Sequence, residues 1–99
     1  MKYIEKETDF EKLINDELVI VDFFATWCGP CQLISPILEE LEKGNANLKV
    51  IKVDVDKNET LARNHQILSI PTLEIYKKGT IVNKVIGYRT KEELQDLIK

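Results

Sequence analysis

Cys28 and Cys31 are the only two cysteines in this chain, and Gly29 and Pro30 stand between them. A spacing of three residues lets both thiols share one helical turn and close a small disulfide ring. The thiolate is the reactive form of cysteine, and it attacks disulfides through a mixed-disulfide intermediate. Pro30 suits the first turn of a helix, where its missing N–H costs nothing. Cys28 then lies just ahead of that turn, facing free N–H groups and the positive end of the helix dipole. Gly29 is expected to permit a tight turn. Other uses of two thiols fit less well. A structural disulfide does not persist where thiols are kept reduced. A structural zinc site needs four ligands, and His65 is the only histidine, so no metal is expected. Inert buried thiols would not be separated by a Gly-Pro turn. A Cys-x-x-Cys in a strand–helix–strand context reads as a redox motif.

Asp22 interrupts an otherwise apolar run, Leu18 to Phe24, six residues before Cys28. If that strand is covered on both faces, the carboxylate is desolvated and its pKa should rise. A carboxyl group tuned in this way is a candidate proton acceptor for a thiol. The competing reading is a strand-end aspartate that reaches solvent. Pro71, in Ser69-Ile70-Pro71-Thr72, introduces a strand. An X–Pro bond is the one type in which cis is cheap, and a plain trans strand-entry proline is the alternative.

These side chains need a scaffold. Residues 2–4 suit a short edge strand, and Thr8-Asp9-Phe10-Glu11 has capping-box spacing, predicting a helix from Asp9 to Asn15. Leu18–Phe24 reads as a central strand. Leu33, Ile34, Ile37, Leu38 and Leu41 recur at helical spacing from Cys31 to Gly44, around an internal Pro36. Val50–Val55 is a strand, and Asn58 opens a short helix to Asn64. Thr72–Lys77 and Thr80–Ile86 form a hairpin about Lys78-Gly79. Thr90-Lys91-Glu92-Glu93 is a second capping-box spacing and starts a closing helix. The order β-α-β-α-β-α-β-β-α predicts an α/β fold whose mainly parallel sheet ends in an antiparallel hairpin.

The 99 residues make one domain, 1–99, with 43% hydrophobic and 31% charged residues. A net charge of −3 argues against nucleic acid as a partner. Residues 1–22 hold seven Asp/Glu against three Lys, which reads as a solvated surface. No run approaches the roughly 18–20 apolar residues that cross a bilayer. The N-terminal Met-Lys-Tyr-Ile-Glu-Lys-Glu lacks the apolar segment of a signal peptide, so the expected compartment is the cytosol.

Trp27-Cys28-Gly29-Pro30-Cys31, Val21-Asp22-Phe23, Pro36, Lys52, Ile70-Pro71-Thr72 and Lys78-Gly79 leading to Gly87 together resemble the thioredoxin family, in its small single-domain type. The resemblance covers essentially the whole chain. It implies a central five-stranded mixed sheet flanked by four helices, with Pro71 in cis facing the dithiol and Asp22 buried near Cys31 beside Lys52. It implies a protein-disulfide reductase in which Cys28 is the nucleophile and Cys31 the resolving thiol, with Gly29 and Pro30 between them. Asp22 would be the proton acceptor and Lys52 its partner. Trp27, Ile70, Pro71 and Gly87 would form the substrate rim. No cofactor would be bound, and NADPH would supply electrons through a flavin-dependent thioredoxin reductase. The partners implied are that reductase and disulfide-containing target proteins, with no membrane and a monomeric chain. A dithiol oxidase or isomerase, or a non-catalytic binding module in a larger complex, is the alternative. The sequence departs from the family pattern at Phe24, and also at Gln32, Ser69 and Tyr88, which bear on partner choice.

Overall fold

The structure, a computed structural model, describes residues 1–99. Strand β1 is Lys2–Tyr3, helix α1 Phe10–Leu13, β2 Leu18–Phe24 and α2 Gly29–Gly44. These are followed by β3 Leu48–Asp54, α3 Glu59–Asn64, β4 Thr72–Lys77, β5 Thr80–Ile86 and α4 Lys91–Leu97. The five strands lie in the order β1-β3-β2-β4-β5. β1 and β2 run parallel to β3, whereas β4 is antiparallel to both β2 and β5. The sheet is thus mixed, and four helices flank it.

Side chains alternate across a strand, so each strand divides its residues between the two faces. Val19, Val21 and Phe23 pack with Phe10, Ile14 and Leu61, on the side of α1 and α3. Ile20, Val50, Leu73 and Ile75 pack with Ile34, Leu38, Leu41 and Leu94, on the side of α2 and α4. Both faces of β2 are therefore buried, which explains its near-continuous apolar run. By the same alternation Asp22 and Lys52 belong to the α2 face, and they are paired in register. No helix is long and apolar enough to cross a membrane.

Two local expectations are corrected. Glu7–Asp9 form a 3-10 turn, and α1 begins only at Phe10, without a side-chain cap at Thr8 or Asp9. Asp9 has φ −82° and ψ −11°, already helical, so it lacks the extended backbone that lets an N-cap oxygen reach back. Burial of Phe10 and Ile14 in the core holds this segment instead. Asn58 does precede α3, but its Nδ2 donates to Asp54 O (3.1 Å) rather than capping the helix. The second capping box forms as expected: Thr90 Oγ1 accepts from Glu93 N (3.2 Å) and Thr90 N donates to Glu93 Oε1 (3.0 Å). β3 starts two residues earlier than Val50. α2 begins at Gly29, so its first turn encloses the dithiol motif.

Candidate active site

β2 delivers the chain from the sheet centre to the start of α2. Cys28 occupies the N-cap position with extended φ −87° and ψ 116°. Its Sγ accepts a hydrogen bond from Cys31 N (3.2 Å), one of the N–H groups a helix start leaves free. Cys28 N donates to Ala25 O (3.2 Å) and Gln32 N to Cys28 O (3.3 Å), so the backbone at Cys28 is held on both sides. Gln32 Nε2 adds a bond to Thr26 O (3.1 Å). Cys28 and Cys31 are joined as a disulfide, with Cα atoms 5.3 Å apart. Both are almost buried, Cys28 at 5% and Cys31 at 3% exposure.

Pro30 lies in the first turn of α2, where no N–H is missed. Gly29 differs from expectation. It is an ordinary helical residue, and a Cβ built on it would meet nothing within 4 Å. The turn therefore does not require glycine there.

Asp22 is fully buried, which removes the reading of a strand-end residue that reaches solvent. Its Oδ2 accepts from Lys52 Nζ (2.7 Å), and the Lys52 side chain is itself only 3% exposed. Lys52 Nζ also donates to Ser35 Oγ (3.2 Å) and lies 4.7 Å from the centre of the Phe24 ring. Asp22 Oδ1 has no partner. Burial raises the pKa of Asp22, and the Lys52 ammonium offsets part of that rise through its charge and hydrogen bond. A cleft of about 220 Å³ is lined by Cys31, Gln32, Ser35, Lys52 and Phe24 among others. It joins the second cysteine to the partner of Asp22.

The residues expected at the substrate rim come from three loops. Trp27 is 71% exposed, yet its Nε1 is anchored to Asp56 Oδ2 (2.9 Å). The Ile70–Pro71 peptide bond is cis, and Ile70 O lies 3.9 Å from Cys28 Sγ. Gly87 has φ +90°, a left-handed conformation that favours glycine, and its N–H donates to Pro71 O (2.7 Å). Pro71 and Gly87 are thereby brought together, and Ile70 is set against Cys28.

The family model Thioredoxin matches residues 2–99. The chain belongs to the thioredoxin family. Thioredoxin from Listeria monocytogenes is 48% identical over 94 residues, covering 93% of this chain and 90% of the relative. Thioredoxin from Staphylococcus aureus is 42% identical over 95 residues, covering 93% and 89%. Among solved structures, Plasmodium falciparum thioredoxin superposes with a TM-score of 0.87 at 41% identity, covering 99% of this chain and 96% of that one. A mutant thioredoxin from Halobacterium salinarum gives 0.91 at 35% identity, covering 98% and 86%. The chain is a thiol–disulfide oxidoreductase with a Cys28–Cys31 pair, and its activity is protein-disulfide reduction. Thioredoxins bind no cofactor themselves, act on disulfide-containing targets and are served by a reductase.

Several contributors were not legible beforehand. Ser35 stands one turn after Cys31 on the same helix face, a spacing that could have marked it. Asp56 holds Trp27 across 29 residues of sequence, and no local pattern announces that. His65, read only as a lone histidine, makes a part-buried contact with Glu74.

Proposed function

We propose that residues 1–99 form one thioredoxin domain that reduces target disulfides in two exchanges. In the first, the Cys28 thiolate attacks a target disulfide, forms a Cys28–target mixed disulfide and expels one target thiolate. In the second, Cys31 gives its proton to Asp22 and attacks Cys28 Sγ. The Cys28–Cys31 disulfide forms and the second target thiolate leaves, so two electrons pass to the target. The observation that carries the order is the hydrogen bond from Cys31 N to Cys28 Sγ, which favours the thiolate at Cys28.

The unpartnered Oδ1 of buried Asp22 supports its role as proton acceptor, because it is an open site for a proton in a desolvated setting. Lys52 is its charge partner. Trp27, Ile70, Pro71 and Gly87 form the docking rim, and Gly29 and Pro30 complete the approach to Cys28. A target strand adds to the backbone at Ile70, a short form of β-augmentation. The oxidised pair is reset by two electrons from NADPH through a flavin-dependent thioredoxin reductase, and the protein carries electrons as a monomer in the cytosol.

Alkylation of the reduced protein tests the order of attack. Iodoacetamide at neutral pH should modify Cys28 at least about tenfold faster than Cys31, as read by peptide mass mapping. Equal modification, or Cys31 first, contradicts the assignment.

A further inference from the structure

The docking segment has an unusual feature: no backbone–backbone hydrogen bond involves Leu68, Ser69 or Ile70. Leu68 is 95% exposed. Free N–H and C=O groups are what an added strand needs. A segment without backbone bonds of its own must be held in place from its ends, or ordering it would weaken docking. At the downstream end, Thr72 Oγ1 donates to Ser69 O (2.6 Å) and Gly87 N to Pro71 O (2.7 Å).

The upstream end is tied to α3 by backbone bonds from Gln66 N to Arg63 O (3.0 Å) and from Ile67 N to Ala62 O (3.0 Å), and a buried polar cluster anchors the end of α3 to the sheet. Glu74 sits in β4 on the face covered by α1 and α3, and it is only 2% exposed. A carboxylate there is costly unless its oxygens are bonded. His65 Nδ1 lies 3.0 Å from Glu74 Oε1 and 3.1 Å from Oε2, within reach to donate to either oxygen in its Nδ1–H form. Tyr76 OH donates to Oε1 (2.7 Å). Burial and the Glu74 charge push the Tyr76 pKa far up, so this hydroxyl stays a neutral donor. The His65 ring also packs against Phe10 and Phe23, with centroids 4.8 Å and 5.5 Å away. His65 O accepts from Lys84 Nζ (3.1 Å). His65 ends α3, and the next residue, Gln66, turns away with φ +55°.

We propose that His65 is a positioning residue for substrate docking: its bond to the buried Glu74 carboxylate fixes where the unbonded segment Leu68–Ile70 leaves α3. This rests on the reading of Ile70 as part of the docking rim. The His65–Glu74 bond touches neither substrate nor sulfur, so it acts on binding and not on the exchange steps.

Two substitutions separate the hydrogen bond from the packing of the ring. His65→Phe keeps an aromatic ring and removes the donor. His65→Asn removes the ring and keeps an amide nitrogen near the place of Nδ1. Reductase-coupled insulin reduction is measured for each, with concentrations set by titrated dithiol, and Ile70→Asp serves as the docking control. His65→Phe should raise KM for insulin about fivefold with kcat within about twofold, and His65→Asn should restore the parent KM. Equal rises in both variants, a rise in His65→Asn alone, or no rise in either while Ile70→Asp raises KM, would overturn the proposal. If Ile70→Asp leaves KM unchanged, the docking reading itself fails and the proposal with it. Should His65→Phe not fold, the double substitution His65→Phe, Glu74→Leu makes both partners apolar and carries the same measurement.

Discussion

Cys31→Ser should convert the protein from a catalyst into a trap. With the resolving thiol gone, Cys28 still attacks target disulfides, but the mixed disulfide cannot be released from within. Target proteins should accumulate on Cys28 as reducible adducts in non-reducing gels of cell extract. Cys28→Ser should accumulate few, because the Cys31 sulfur lacks the N-cap position that favours a thiolate. Both variants should lose turnover by on the order of 10³-fold or more, the loss expected when a covalent nucleophile or its partner is removed. Equal trapping by the two variants would refute the division of roles. The asymmetry follows from one turn of helix: Cys28 receives the Cys31 N–H, and Cys31 has no equivalent donor ahead of it.

The second large effect belongs to Asp22, and it runs in opposite directions for stability and rate. Its folded pKa is raised above the ordinary value of 3.8, chiefly by burial. Below the unfolded pKa both states hold the proton, and the folded protein has its full margin from this group. As pH rises, the unfolded chain ionises first, so stability falls until the folded pKa is passed and then levels off. The amide introduced by Asp22→Asn does not titrate, and its oxygen can still accept from Lys52. Asp22→Asn should therefore gain stability relative to the parent as pH rises from 4 towards 8, measured by denaturant titration of the oxidised protein. A difference that is flat or shrinks with pH contradicts a raised pKa. Resolution of a preformed Cys28 mixed disulfide should slow by roughly 10²-fold in the same variant, the usual worth of a general base. In the parent, that rate should climb with pH as Asp22 ionises; Asp22→Asn should lose this contribution and keep only the rise from ionisation of the Cys31 thiol itself.

Much of this architecture could be read from residue order because its signals are local. The apolar, β-branched run of β2 and the helical repeat of Leu33, Ile34, Ile37, Leu38 and Leu41 each name an element within a few residues. The Cys-Gly-Pro-Cys motif also carries its own context, since proline favours a helix start and the cysteine before it must then be near the N-cap. Contacts across long stretches of chain were hidden. Asp22 and Lys52 are 30 positions apart, and periodicity alone left Asp22 equally suited to solvent; family resemblance supplied the pairing. Nothing in the sequence near His65 indicates that Glu74 would face it from β4. The failed capping box at Thr8 has the opposite cause. The local spacing is there, but with Phe10 and Ile14 buried the backbone at Asp9 is already helical and no side-chain cap forms. Local chemistry proposes, and packing decides among the proposals.

The measurement that bears most directly on the central claim is NADPH-driven reduction of insulin disulfides in the presence of a thioredoxin reductase. The parent should support many turnovers per molecule, with NADPH consumed in proportion to disulfide reduced. The double variant Cys28→Ser, Cys31→Ser should support none above the reductase alone while remaining folded. A double variant that sustains the parent rate would contradict the claim that the Cys28–Cys31 pair carries the electrons.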